Sequence, residues 1–246
     1  MSKPEIRVFP NLEELSLAAA RRFEELANLH VAQKKTFSAA LSGGSTPKRL
    51  YQLLAGPGHR IPWEHVELFQ VDERCVPPDH PESNYKMIRE ALLDHVPIPA
   101  SNFHRMTAEN PERDEAARKY AQEIAQVLKP AKGEWPRLDL VFLGMGPDGH
   151  TASLFPGSEA LGERVLWVRP NFSARMGNFR LTLTLPVLNS ASEVIFLISG
   201  ADKAETLRRV MEGPPQHSQL PAQSVQPVQG RLNWYLDQAA ARLLAQ

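Results

Sequence analysis

A chain of 246 residues with 42% hydrophobic side chains has enough material for one large α/β core or two small ones. Its 28 Lys and Arg balance its 28 Asp and Glu, which excludes the basic surplus of a protein built around nucleic acid or a membrane surface, so any positive site must be local. The lone cysteine, Cys75, excludes an internal disulfide, no apolar run reaches membrane-spanning length, and the opening MSKPEIRVFP lacks the apolar segment of a signal peptide, so a soluble cytoplasmic protein is expected.

In chain order, Glu5 to Phe9 reads as a first strand. Asn11 with Glu14 has the form of a capping box, and Leu12, Leu15, Ala19, Phe23 and Leu26 then recur at helical spacing. Thr36 to Leu41 is a short apolar strand that closes in SGGSTP; a helix from Pro47 to about Leu54 follows, with Thr46 suited to cap it and Pro47 to its first position. Val66 to Val71 is another strand, ending at Asp72-Glu73-Arg74. VPPDHPES leads into a helix of about Tyr85 to Asp94 that Ser83 can cap. Asn110 and Pro111 open a further helix, with Ala117, Tyr120, Ile124 and Leu128 inward. Leu138 to Leu143, broken only by Asp139, is a buried strand, and Gly144, Gly146, Pro147 and Gly149 mark a tight turn at its end.

Beyond that turn come a strand near Val165 to Val168, a loop NFSARMGNFR, and a strand from Leu181 to Leu185 whose alternating Leu and Thr give it one polar face. Glu193 to Ile198 is a further strand. SGADKAETLRRVME reads as loop and helix, Gly213 to Gly230 as a long Pro/Gln loop, and LDQAAARLLA as a closing helix. Strands alternate with helices throughout, which argues a mostly parallel sheet with helices on both faces. No repeat or linker divides the chain, so one domain over residues 1–246 is expected.

Four clusters carry chemistry. Gly43 and Gly44 in SGGSTP let the backbone turn and bare its N–H groups at the start of a helix, a pattern that serves either as an anion site or as a plain strand-to-helix turn. No Gly-Lys-Ser/Thr follows, which argues against a nucleoside triphosphate. Asp72, Glu73 and Arg74 at a strand's end can handle protons and hold an oxyanion, or form a surface salt-bridge cluster. The adjoining Cys75 has no histidine placed beside it by sequence and reads as structural. Asp148 and His150 lie two apart in the central turn, at the edge of an open α/β sheet where ligands bind; a carboxylate there can fix the imidazole's tautomer and raise its basicity. Arg180 and Lys203, each beginning an element, are either solvated charges or a phosphate clamp.

Gly144, Gly146 and Gly149 also spell the dinucleotide pattern GxGxxG. The following strand, RVLWVRP, lacks the closing acid, and Pro147 interrupts the turn, both of which argue against that cofactor. The residues thus read as an α/β enzyme acting by proton chemistry on a small phosphorylated substrate.

SGGSTP, VDERCVPPDHPESNY, GMGPDGHTASLFP, RLTLTLP, SGADKA and LPAQSVQP, in that order, resemble the motifs of the glucosamine-6-phosphate isomerase/6-phosphogluconolactonase family, and of its lactonase branch in particular. The resemblance runs from about residue 38 to the C-terminal helix. It implies a Rossmann-like α/β fold, shared with glucosamine-6-phosphate deaminase and ribose-5-phosphate isomerase. It also implies hydrolysis of 6-phospho-D-glucono-1,5-lactone to 6-phosphogluconate without an organic cofactor or metal. The deaminase branch continues its turn into Asn-Glu-Pro, and the place of that glutamate is here Phe155, followed by Pro156; it also tends to carry an aromatic residue where this chain has Arg74. The implied roles are His150 as the base that activates water, Asp148 as its orienting or charge-supporting partner, and Arg74 on the oxyanion or substrate. Asp72 is expected to position sugar hydroxyls or Arg74, while Gly43, Gly44, Ser45, Thr46, Arg180 and Lys203 hold the 6-phosphate. The expected partner is the sugar-phosphate lactone alone, with no nucleic acid or membrane, and the protein is expected to be a monomer. A deaminase and a sugar-phosphate sensor without activity are the alternatives.

Overall fold

The computed structural model describes residues 4–174 and 176–245; the outermost ends of the expected domain, and Arg175 in the expected loop NFSARMGNFR, lie outside the described residues. Among the described residues, seven strands pair side by side in parallel. These are β1 (Glu5–Phe9), β2 (Phe37–Leu41), β3 (Val66–Gln70), β5 (Phe103–His104), β6 (Leu140–Leu143), β9 (Glu193–Ile198) and β10 (Arg231–Asp237). Their order across the sheet is β1-β10-β9-β6-β2-β3-β5, every pairing parallel. β2, β6 and β9 are buried along their whole lengths, as a parallel sheet covered on both faces requires.

The two-residue period of a strand divides the core. Phe37, Ala39, Leu140 and Phe142 face one apolar cluster with α1 (Leu12–Ala32), α2 (Ser45–Leu54) and α3 (Asn84–Ala91). Ala40, Val141, Leu143 and Phe196 face the other, with α4 (Arg113–Leu128), α5 (Leu185–Ser190), α6 (Ala204–Glu212) and α7 (Gln238–Ala241). Asn11 caps α1 by accepting from Glu14 N, and Ser83 caps α3 by accepting from Lys86 N. Among the described residues no helix is long and apolar enough to cross a membrane.

Several elements differ from the sequence expectation. Asp72–Arg74 forms its own strand, β4, in a second, antiparallel sheet of order β4-β8-β7, with β7 at Val168–Ser173 and β8 at Asn178–Leu183. β7 thus starts where the expected strand ends, because Val165 and Leu166 are exposed and the chain pairs only once it meets β8. α2 begins at Ser45 with Gly44 as its cap, so Thr46 lies inside the helix and caps nothing. α4 opens after Glu112, while Asn110 accepts from Glu112 N in the turn before it. The proline-bearing α5, the two-residue β5 and the seven-residue β10 were not expected, and β10 reduces the closing helix to Gln238–Ala241.

Candidate active site

β2, β6 and β9 end at one edge of the sheet, and beyond them lies a cleft of about 260 Å³. β2 leads into Ser42-Gly43-Gly44. A Cβ on Gly43 would fall 1.8 Å from Asn84 Oδ1, so only glycine fits there. Gly44 has φ +110, and no side chain caps the helix that follows. The first N–H groups of α2, at Ser45 and Thr46, therefore stand bare at the cleft wall, where the helix dipole favours an anion.

β6 leads into the turn that carries Asp148 and His150. Asp148 Oδ1 lies 2.5 Å from His150 Nδ1 and also accepts from His150 N at 3.2 Å. Burial pushes the Asp148 carboxyl up, but the hydrogen bond and charge of His150, with backbone N–H groups, outweigh it and hold the pKa at about 2. An ionised Asp148 takes the Nδ1 proton as its partner and leaves Nε2 as the basic nitrogen. Gly146 makes room for this pair, since a Cβ there would meet His150 Nδ1 at 2.1 Å and Asp148 Oδ1 at 2.7 Å. Gly149, at φ +81, packs against Leu220. The glycines of GxGxxG are thus used to fold the histidine turn. The helix a dinucleotide site needs does not follow; residues 151–158 form turns and an isolated bridge.

β4 and β8 supply the opposite wall. Alternation along β4 sends Asp72 and Arg74 to the cleft and Glu73 away from it. Asp72 accepts from Ser153 Oγ at 2.6 Å and Asn84 Nδ2 at 3.3 Å, so its partners are these two and not Arg74. Arg180 on β8 sits directly across from Arg74 on β4. Arg74 donates to Glu82 O, and the Nε atoms of both arginines are buried without a partner. Burial lowers the Arg180 pKa; the Asp72 charge opposes this and the Arg74 charge adds to it. The Phe155 ring lies 5.7 Å from the Arg180 guanidinium and 5.0 Å from the His150 ring. Lys203, at the start of α6, reaches the cleft with Nζ 3.2 Å from Asp202 Oδ2.

Gly43, Gly44, Ser45, Thr46, Asp72, Arg74, His150, Arg180 and Lys203 therefore all line one cleft, and Asp148 supports His150. Cys75 does not line it, and burial pushes its thiol pKa up against the pull of Arg113. Among the described residues no group of three or more His, Cys, Asp or Glu is arranged to hold a metal. Asn84 and Ser153 were not singled out from the sequence; Glu73 was read only as part of the Asp72-Glu73-Arg74 charge cluster, and Phe155 only as the residue standing in place of the deaminase glutamate. Glu73 accepts from Gln70, Arg74 N, Ser83 Oγ, Asn84 N and Tyr85 N. Burial raises its pKa against those bonds. It ties β4 to the start of α3, which is why Asn84 meets Gly43. In the sequence Asn84 stands only as an unremarked member of the motif VDERCVPPDHPESNY.

A Rossmann-like α/β protein whose cleft at the carboxyl edge of the sheet is lined by a bare helix N-terminus, cationic side chains and a histidine held by a carboxylate behind it is the class that fold and geometry define. The chain belongs to the family of glucosamine-6-phosphate isomerases and 6-phosphogluconolactonase, whose sequence pattern matches residues 10–234. It is 44% identical to a 6-phosphogluconolactonase of Nostoc sp. over 87% of this chain and 88% of that protein. It is 42% identical to the 6-phosphogluconolactonase of Homo sapiens over 97% of this chain and 93% of that one. The solved 6-phosphogluconolactonase of Trypanosoma brucei superposes with a TM-score of 0.85 at 30% identity, covering 100% of both chains.

Proposed function

We propose that the chain hydrolyses 6-phospho-D-glucono-1,5-lactone to 6-phospho-D-gluconate, the second step of the oxidative pentose phosphate pathway. The observation that carries this reading is the His150–Asp148 pair facing the same cleft as two under-paired arginines and the bare N-terminus of α2. The α2 N–H groups at Ser45 and Thr46, with the Gly43-Gly44 turn, Arg180 and Lys203, hold the 6-phosphate. Water attacks the lactone carbonyl carbon while His150 Nε2 takes its proton, and Asp148 supports the imidazolium. Arg74 stabilises the tetrahedral oxyanion. Collapse breaks the bond to the ring oxygen, which leaves with the proton from His150, and the free acid ionises. Asp72, fixed by Ser153 and Asn84, turns its remaining acceptor capacity to sugar hydroxyls.

Every residue given a role above comes from one chain, which supports a monomer as the catalytic unit; residues 1–246 are read as one domain whose proposed chemistry calls on no cofactor or metal. A phosphorylated sugar does not cross membranes unaided, which supports action in the cytoplasm. Phe155 argues against the deaminase alternative, because it sets an apolar ring against His150 where that chemistry calls for a further proton-handling carboxylate. The test is 6-phosphogluconate formation from freshly made lactone, corrected for spontaneous hydrolysis. Turnover supports this reading. Ammonia release from glucosamine 6-phosphate, or binding without turnover, would replace it with the deaminase or the sensor.

A further inference from the structure

Asp237 closes β10, the strand next to β9, and is buried. Its carboxylate serves two elements at once. Oδ1 accepts from Ala240 N at 2.7 Å and so caps α7. Oδ2 accepts from Ser199 Oγ at 2.5 Å, and Gly200 N reaches the two oxygens at 3.2 and 3.1 Å. Ser199 and Gly200 begin the turn that leads from β9 into Lys203. Gly200 is left-handed, at φ +104, and its carbonyl accepts from Lys203 N at 3.1 Å. Past Lys203, Thr206 Oγ1 donates to Pro147 O at 2.6 Å, which ties α6 to the turn of Asp148 and His150. With α6 anchored there, the remaining backbone freedom of Lys203 lies in the turn before it, and a buried carboxylate grips that turn.

From this geometry we infer that Asp237 is a positioning residue for substrate phosphate: by clamping Ser199-Gly200 it sets where Lys203 delivers its charge in the cleft. The inference rests on the reading of Lys203 as a phosphate ligand and adds to it a residue outside the cleft lining. A fixed cation costs the enzyme little ordering on binding, whereas a loose one must be ordered at each encounter. The clamp therefore acts on phosphate affinity and leaves proton transfer at His150 untouched.

Two variants separate this role from simple capping. Asp237→Ser keeps a cap for α7 but is too short to hold Ser199 and Gly200; Asp237→Asn keeps the cap and part of the clamp. Steady-state rates with the 6-phospholactone should show KM raised about three- to tenfold in Asp237→Ser, less than the full loss of a charge-assisted bond. KM should rise less in Asp237→Asn, with kcat within about twofold of wild type in both. With unphosphorylated glucono-1,5-lactone, kcat/KM should not change. In a Lys203→Ala background the same substitutions should add almost nothing to KM. Wild-type KM in a folded Asp237→Ser protein, an undiminished effect in the Lys203→Ala background, or equal loss with the unphosphorylated lactone would each overturn the inference. Lys203→Ala with unchanged KM would remove the phosphate reading of Lys203 and this inference with it. If Asp237→Ser does not fold, Asp237→Asn carries the test on the same criteria.

Discussion

The two ends of the main sheet treat the same residue types in opposite ways. At the amino end, the first residues of β9 and β10 form a closed charge cluster. Glu193 accepts from Arg22 Nε and Nη2 at 3.0 and 2.7 Å, from Arg231 at 2.8 Å and from Asn233 at 2.8 Å. The hydrogen bond to Glu193 is the main cause of a raised Arg22 pKa. At the carboxyl end, Arg180 is buried beside another arginine with its Nε unpartnered, and burial lowers its pKa. One arginine is saturated, the other is left short of negative charge. A buried cation held in that state costs stability, and a ligand anion is what would complete it. The difference separates a polar cluster satisfied within the fold from one with unpartnered donors that the proposed substrate phosphate would satisfy.

The largest expected effect tests the open end. A positioned base contributes about 10²–10⁴-fold, so His150→Ala should lose that much kcat with little change in KM, since the proposed phosphate contacts remain. The acid limb of the wild-type rate–pH profile should be missing from the residual activity. A folded His150→Ala enzyme with near wild-type kcat would move the search for the base to Asp72.

The closed end should respond in stability alone. Glu193→Ala leaves Arg22 with only the exposed Glu25 as its partner, and removing one partner of a buried pair costs up to about 3–5 kcal/mol, read by urea denaturation. KM and kcat of the folded fraction should stay at wild type. A shifted KM would mean that the two ends of the sheet are coupled.

Arg180→Met inverts that pattern. Loss of a charge-assisted phosphate contact costs about 1.5–3 kcal/mol, roughly ten- to a hundredfold in KM. Removing an under-paired buried cation should at the same time leave stability unchanged or raise it, as is common where activity depends on a destabilised site. Arg22→Met, by contrast, should destabilise without touching KM. If Arg180→Met lost stability as Arg22→Met does, the contrast between the two ends would fail.

This contrast also decides what could be read from the sequence. The strands β2, β3, β6 and β9 and the caps Asn11 and Ser83 were legible because each depends on a short run of residues. So were the two glycine turns, whose strand ends placed SGGSTP, Asp148 and His150 on one edge. β10 was not legible: LNWYLD becomes a strand only by pairing with β1 and β9, and its end was absorbed into a helical pattern. With β10 went Asp237 and its hold on Ser199 and Gly200. The three residues of β4 read as one charge cluster, yet pairing with β8 separates them, Asp72 and Arg74 to the cleft and Glu73 to five donors behind it. Val165 and Leu166 misled in the other direction, being apolar and exposed. Spacing along the chain could name the charged groups, but only the packing tells which of them are satisfied.

The smallest effect concerns Asp148, which belongs to both regimes, satisfied by His150 and yet at the cleft. Its folded pKa of about 2 lies below the ordinary value of about 3.9 for an aspartate. The ionised form therefore stabilises the fold at any pH above about 4, and the contribution is lost as pH falls through about 2. The pair is partly open to solvent, with 27% and 29% of the two side chains exposed, so the contribution is on the order of 1 kcal/mol. Asp148→Asn should be less stable than wild type by that amount at pH 5 and should converge on it near pH 2, as measured by urea denaturation across that window. Its kcat should fall, by less than in His150→Ala, because the base stays in place while its orientation is disturbed. A wild-type and an Asp148→Asn protein that lose stability in parallel between pH 5 and pH 2 would show that the carboxylate gains nothing from the imidazole in the folded state. Asp148 would then belong with the bystander charges of the surface, and the unsatisfied groups of the cleft would have to account for catalysis without it.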